Sequence, residues 1–141
     1  MTDHTTPDAY DAYRRAEELV ASRRPREAVR LLEHVTTASP DHAGAWELLG
    51  RAHFAAAHLT LAEDAFRRLV ELEPTSAWAR TALGLSLDRQ SRHAEGATQH
   101  RIAGALGASG RDATRVELVG AGPDPTFGGL VLGDRLRGGS S

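Results

Sequence analysis

The sequence predicts an all-α fold built from repeated pairs of helices, and three observations carry that prediction. Apolar residues recur at i, i+3, i+4 and i+7 in Ala28, Leu31, Leu32 and Val35, and again in Ala62, Ala65, Phe66 and Leu69. That spacing puts each set on one face of a helix, where the expected role is core. Pro40 and Pro74 lie 34 residues apart (74 − 40 = 34), each just beyond such a stretch. Finally, Trp46-x-x-Leu49-Gly50 runs ahead of Ala62-x-x-x-Phe66 and Pro74, so two helical stretches share one closing proline.

The elements follow in order. Asp8 is a good N-cap after Pro7, and the first helix is predicted from there to about residue 22. Arg23-Arg24-Pro25 forms the turn, and Pro25 suits the first turn of a second helix that runs to about residue 37. Ser39-Pro40-Asp41 breaks it, with Asp41 expected to cap a third helix over residues 42–56. Thr60-x-x-Glu63 reads as a capping box for a fourth, ending near residue 71. Glu73-Pro74-Thr75-Ser76 is the matching turn, and a fifth helix is predicted over 77–90. The sixth, over 93–106, is weakened by Gly96 and Gly104, each costing ~1 kcal/mol relative to Ala in a helix interior.

The order Trp46, Leu49-Gly50, Ala62, Phe66, Pro74 resembles the tetratricopeptide repeat, a helix-turn-helix unit of about 34 residues. In that unit Trp46 and Leu49 fill the seam, Gly50 and Ala62 allow close approach, Phe66 closes the core and Pro74 stops the second helix. One period back, the pattern lands on Ala12, Arg15, Ala16, Leu19, Ala28, Leu32, Val35 and Pro40, with the second-helix positions well matched. One period forward it lands on Arg80, Leu83, Gly84, Leu87, Gly96, His100, Ala103 and Ala108, where Leu83-Gly84 fits and no proline closes the unit. Terminal repeats are expected to be atypical because one face meets water. The resemblance implies a right-handed array of three helix pairs: residues 1–7 as a flexible lead, repeats over 8–41, 42–75 and 76–109, and a Gly-rich tail over 110–141.

The resemblance also implies a function, protein–protein interaction through the concave groove lined by the first helix of each repeat. Its second, fifth, ninth and twelfth positions are Tyr10, Tyr13, Glu17 and Val20; Gly44, Glu47, Arg51 and Phe54; Trp78, Thr81, Leu85 and Asp88. The expected partner-binding residues are Tyr10, Tyr13, Glu17, Glu47, Arg51, Phe54, Trp78, Thr81 and Leu85. Aromatic side chains at such positions anchor peptides because they offer large area at low entropic cost, though the same residues could pack against neighbouring helices. Glu47 and Arg51, at i and i+4, could simply pair with each other. One subclass grips a C-terminal carboxylate with Lys and Asn; the corresponding Tyr13, Glu17, Leu48, Trp78 and Ala82 include neither, nor any Arg. An apolar or Pro-containing segment is the expected ligand. The alternative is a structural or self-associating subunit, a homodimer through the poorly capped third repeat and tail.

Composition narrows the rest. One domain suits 141 residues. Without Cys there is no disulfide, thiolate chemistry or Cys-based zinc site. A formal net charge of −2 argues against a nucleic-acid partner. No stretch approaches the ~18 apolar residues of a membrane helix, and the polar N-terminus is no secretory signal; a cytoplasmic location is expected, with no membrane partner. All 17 basic residues are Arg, there is no Asn, and Ala and Gly abound, which points to a GC-rich bacterial genome. Seven His invite metal or small-ligand readings, but no H-E-x-x-H, nucleophile elbow or phosphate loop is present. Gly120-Ala121-Gly122 is followed by no helix. No catalytic residue, cofactor or metal is expected. The tail could be a disordered extension. Its apolar pieces at 116–119 and 130–132 make docking of residues 116–132 on the last helix pair, or in the groove, the alternative expectation. With no amphipathic capping helix evident, Leu83, Leu87 and Leu106 would otherwise risk facing water.

Overall fold

Capping side chains and left-handed turns cut residues 8–109 into six helices at a fixed interval. The computed structural model describes residues 8–109. These form α1 (Ala9–Ala21), α2 (Pro25–Ala38), α3 (Ala43–Ala55), α4 (Leu59–Leu72), α5 (Ala77–Asp88) and α6 (His93–Ser109), with no strand among the described residues. The readings placed on residues 1–7 and 110–141 lie outside the described residues. Successive helices pack pairwise, α1 on α2, α3 on α4 and α5 on α6, and the pairs stack through α2 on α3 and α4 on α5, with α1 also touching α3. No helix among the described residues is long and apolar enough to cross a membrane.

The first helix of each pair opens on a side chain that accepts from the backbone three residues on. Asp8 Oδ1 accepts from Asp11 N at 2.8 Å, His42 Nδ1 from Ala45 N at 3.1 Å, and Ser76 Oγ from Ala79 N at 3.0 Å. The three caps are one period apart (42 − 8 = 34; 76 − 42 = 34). Asp41 is therefore not the cap of α3. Its carboxylate lies 3.3 Å from Arg68, whose guanidinium also donates to Pro40 O, so Asp41 ties the turn to α4 instead.

The same helices close on a residue in the left-handed region: Arg23 (φ 64°), Ala57 (φ 63°) and Ser91 (φ 63°), again 34 apart (57 − 23 = 34; 91 − 57 = 34). Each makes the paired bonds of a Schellman motif. Arg24, His58 and Arg92 donate back to Leu19, His53 and Leu87 at 2.8, 2.8 and 3.0 Å, inside which Arg23, Ala57 and Ser91 donate to Val20, Phe54 and Asp88. None of the three is Gly, so the turn left no composition signal. A side chain in this region costs roughly 1–2 kcal/mol, of which Gly returns part through its looser unfolded state. Ala57 is exposed and loses no packing when shortened. Ala57→Gly is expected to stabilise by about 0.5–1 kcal/mol, raising the thermal midpoint by a few degrees; a lower midpoint by calorimetry would contradict the left-handed assignment.

The core lies in the seams. Ala16, Leu19, Val20, Ala28, Leu32, Leu48, Leu49, Ala52 and Ala65 join the first two pairs; Phe54, Ala62, Phe66, Leu69, Ala79, Ala82, Leu83, Leu85 and Leu87 join the second and third. Trp46 packs against both clusters, and its indole Nε1 donates to Pro40 O at 2.7 Å, locking the inter-repeat turn. Leu83 and Leu87 are each 1 % exposed, so the feared exposure of the last pair does not occur at these positions.

Thr60 does not begin a capping box either. α4 starts one residue earlier, at Leu59, with His58 as a cap that makes no side-chain bond. Glu63 is buried and turned the other way, accepting from Arg67 Nε at 2.9 Å, Arg92 Nη1 at 2.7 Å and Gln90 Nε2 at 3.0 Å. Burial pushes its carboxyl up, but the bonds from Gln90, Arg67 and Arg92 outweigh that and hold it below the ordinary value. The group ties α4 to the α5–α6 turn. In the third pair, His100 takes the place that Phe66 holds in the second (100 − 66 = 34). Its ring lies on Gly84 as the Phe66 ring lies on Gly50, and its Nε2 is 2.9 Å from Asp88 Oδ2. α6 thus runs on to Ser109, beyond its predicted end, on a polar anchor in place of an aromatic one.

Candidate partner-binding surface

The first helices α1 and α3 lie side by side, and one face of each remains uncovered by α2 and α4. At 3.6 residues per turn, Tyr13 and Glu17 share that face of α1; Gly44, Glu47 and Arg51 share it on α3. Together with Val20 they line a concavity of about 180 Å³. Gly44 leaves space there, since a Cβ would stand 3.0 Å from the Tyr13 hydroxyl. The Tyr13 ring is held in place by His42, with centroids 4.8 Å apart and planes tilted by 39°.

The site is polar and partly dehydrated. Burial raises the Tyr13 hydroxyl, and the nearby Glu17 and Glu47 carboxylates add to that. Burial also raises Glu47; Arg51 opposes the shift and Glu73 reinforces it. Arg51 and Glu47 pair across one helical turn at 3.4 Å, while Arg51 Nε is buried with no hydrogen-bond partner among the described residues. Glu17 pairs loosely with Arg14 at 3.8 Å on the exposed side. What this arrangement can do is bind: an aromatic platform flanked by two carboxylates and a guanidinium. Among the described residues no group of three or more His, Cys, Asp or Glu could hold a metal ion.

The remaining candidates are distributed differently. Tyr10 stands 68 % exposed at the rim. Trp78 is half-buried and meets the Phe66 ring edge-on, centroids 5.9 Å apart. Phe54, Thr81 and Leu85 are buried, and the Arg89 guanidinium lies 5.4 Å from the Phe54 ring centre. The structure therefore brings Tyr13, Glu17, Glu47 and Arg51 together in an open cleft and sets Phe54, Thr81 and Leu85 in a closed apolar zone. Sequence reasoning missed His42 as both cap and ring support; its position one period after Asp8 was the available signal.

Residues 13–77 match the sequence profile of the tetratricopeptide repeat. Those residues carry tetratricopeptide repeats. Solved structures share the fold of this repeat protein. MamA from Desulfovibrio magneticus RS-1 is 27% identical, with a TM-score of 0.69 over 72% of this chain and 57% of that one. MamA of AMB-1 is 23% identical, with a TM-score of 0.71 over 73% and 61%. The repeat protein thus spans about six-tenths of the MamA chains it matches. No curated protein matches it. The tetratricopeptide repeats support a protein-interaction or scaffold role.

Proposed function

We propose that this chain is an adaptor that holds a peptide segment of a partner protein along the concave face of its first helices, without a reaction step. The observation that carries the reading is the open cleft between α1 and α3, where Tyr13, Glu17, Glu47 and Arg51 converge. Tyr13 is a rigid aromatic anchor that loses little entropy on binding. Glu47 is kept from full hydration and stands near Glu73 as well as Arg51, so a cation from the partner would relieve a cost already present in the free chain. The ligand that fits is an apolar or Pro-containing segment with one basic residue opposite Glu17 and Glu47. Tyr10 extends the platform at one end and half-buried Trp78 offers an apolar contact towards the other, while Phe54, Thr81 and Leu85 are buried and support the face from within.

Affinity capture with the intact chain as bait tests this. Tyr13→Ala combined with Glu47→Arg is expected to reduce capture of the partner at least ~10-fold, the effect of losing about 1.4 kcal/mol. Far-UV circular dichroism should stay unchanged, because neither residue belongs to the buried core. Equal capture by both baits, quantified by mass spectrometry, would move the binding surface elsewhere.

A further inference from the structure

One core position of the second pair is filled by a titratable ring. Leu19, His53 and Leu87 share a register, each 34 residues from the next (53 − 19 = 34; 87 − 53 = 34). All three are buried, His53 to 4 % exposure. Each offers its backbone O to the left-handed turn that closes its helix, accepting from Arg24, His58 and Arg92 in that order. The two leucines belong to the apolar clusters that join the pairs. His53 puts an imidazole in the same place. Its Nδ1 is sealed from solvent and has no hydrogen-bond partner among the described residues. A neutral imidazole tolerates this, because its single N–H can sit on Nε2 and leave Nδ1 as a bare acceptor. An imidazolium does not. It carries an N–H on both nitrogens, and the one at Nδ1 would lie in a space without an acceptor, at the full cost of burying an unpaired donor.

The charged groups around this end of α3 do little to offset that cost. On the α4 side stand His58, Glu63 and Asp64. The His58 ring lies 5.8 Å from the His53 ring, centre to centre, and its charge opposes a second one. Glu63 is committed to Arg67, Arg92 and Gln90. Asp64 favours the charged ring but is exposed to water. On the α1–α2 side, Arg23, Arg24, Arg26 and Glu27 line a cleft against Ala55, Ala56 and Ala57. Glu27 there is taken by Arg24 at 2.9 Å, and Glu18 of α1 by Arg15 at 3.2 Å. From the α5–α6 turn, Arg89 lies over the neighbouring Phe54. Burial, with the His58 charge added to it, holds the His53 imidazole below its ordinary value.

We infer that His53 is an acid-sensitive point built into the core of the second pair, and that the array loses stability as this ring takes up a proton. In the unfolded chain the ring protonates first. Stability is therefore whole above about pH 6.5, the ordinary histidine value, and is lost as the pH falls from there towards the lower folded value. A proton bound only on unfolding raises the unfolding constant by up to ~10-fold per pH unit. The inference is independent of what the concave face binds.

Urea unfolding of the full-length chain, at about pH 7.5 and again at about pH 5.5, tests this on either side of the ordinary histidine value. His53→Leu installs the residue that the flanking repeats carry at the same register, so the variant is expected to fold. Acidification should raise the unfolding constant of the parent, and the rise should be at least ~3-fold smaller in His53→Leu. His34→Gln removes an exposed imidazole from α2 and should leave the rise as it is in the parent. A rise in His53→Leu equal to the parent's would overturn the inference, as would an equal reduction in His34→Gln. A second measurement needs no variant to be stable. Titration of the His53 ring protons by NMR in the parent should give a lower midpoint in the folded chain than in the urea-unfolded chain. A folded midpoint equal to the unfolded one, or above it, would also overturn the inference.

Discussion

Phe66→Ala is expected to cost about 3–5 kcal/mol, the loss that follows truncation of a fully buried Phe. Phe66 is 0 % exposed. Its ring lies against Gly50 on α3, meets Trp78 of α5 edge-on, and sits with Ala62, Leu69 and Leu83 in the cluster that joins the second and third pairs. One side chain therefore holds a helix pair closed and two repeats together. Its removal leaves a cavity that three helices would have to move to fill, and it loses the edge-to-face contact worth about 0.5–1.5 kcal/mol beyond area. A small domain has roughly 5–15 kcal/mol of stability in total, so the variant should be largely unfolded or melt at least ~12 °C lower. Calorimetry showing a midpoint within 3 °C of the parent would mean that Phe66 does not bridge the repeats.

Much of this core was legible because its causes are local or periodic. The i, i+3, i+4, i+7 spacing that placed Phe66 and Leu32 inside is a property of one helix, and the glycine opposite the ring belongs to the repeat pattern. The caps were less legible. Asp is the stronger capping prior, so Asp41 outranked His42, yet only the residue one period after Asp8 has the geometry to accept from Ala45. Thr60-x-x-Glu63 matched a local motif, but Glu63 is claimed by Arg92 and Gln90, 29 and 27 residues away. A short-range pattern carries no trace of such distant competitors.

The candidate surface divides along the same line. Stepping the register by 34 residues put Tyr13, Glu17, Glu47 and Arg51 on one face, and helical geometry keeps them there. Whether a position on that face is open depends on what lies over it. Thr81 and Leu85 share the register of Glu47 and Arg51 and differ sharply in exposure, which no periodicity could foresee. The weak sixth helix is a related case. His100 and Gly96 lower its apolar pattern, yet His100 meets Asp88, and a Cβ at Gly96 would stand 2.1 Å from that same carboxylate. The residues that weaken the pattern are the ones that make room for the polar anchor.

Gly50→Ala sets two effects of opposite sign against each other, and packing should win. In an exposed helix interior, Gly→Ala gains up to ~1 kcal/mol from propensity. Gly104 is such a site, with nothing within 4 Å of an added Cβ, and Gly104→Ala should show that gain. At Gly50 the added Cβ would stand 2.4, 2.6 and 2.7 Å from three atoms of the Phe66 ring. A rigid ring that is fully buried and held by Trp78 cannot fold away as a flexible chain would. Overpacking of this kind costs about 1–3 kcal/mol or more, so Gly50→Ala should be destabilised by about 1–2 kcal/mol after the propensity gain is deducted. Phe66→Leu, which removes the ring face that Gly50 accommodates, should recover part of this loss in the double variant, a coupling measurable by a mutant cycle. Denaturant unfolding that finds Gly50→Ala as stabilising as Gly104→Ala would show that the ring does not rest on this glycine.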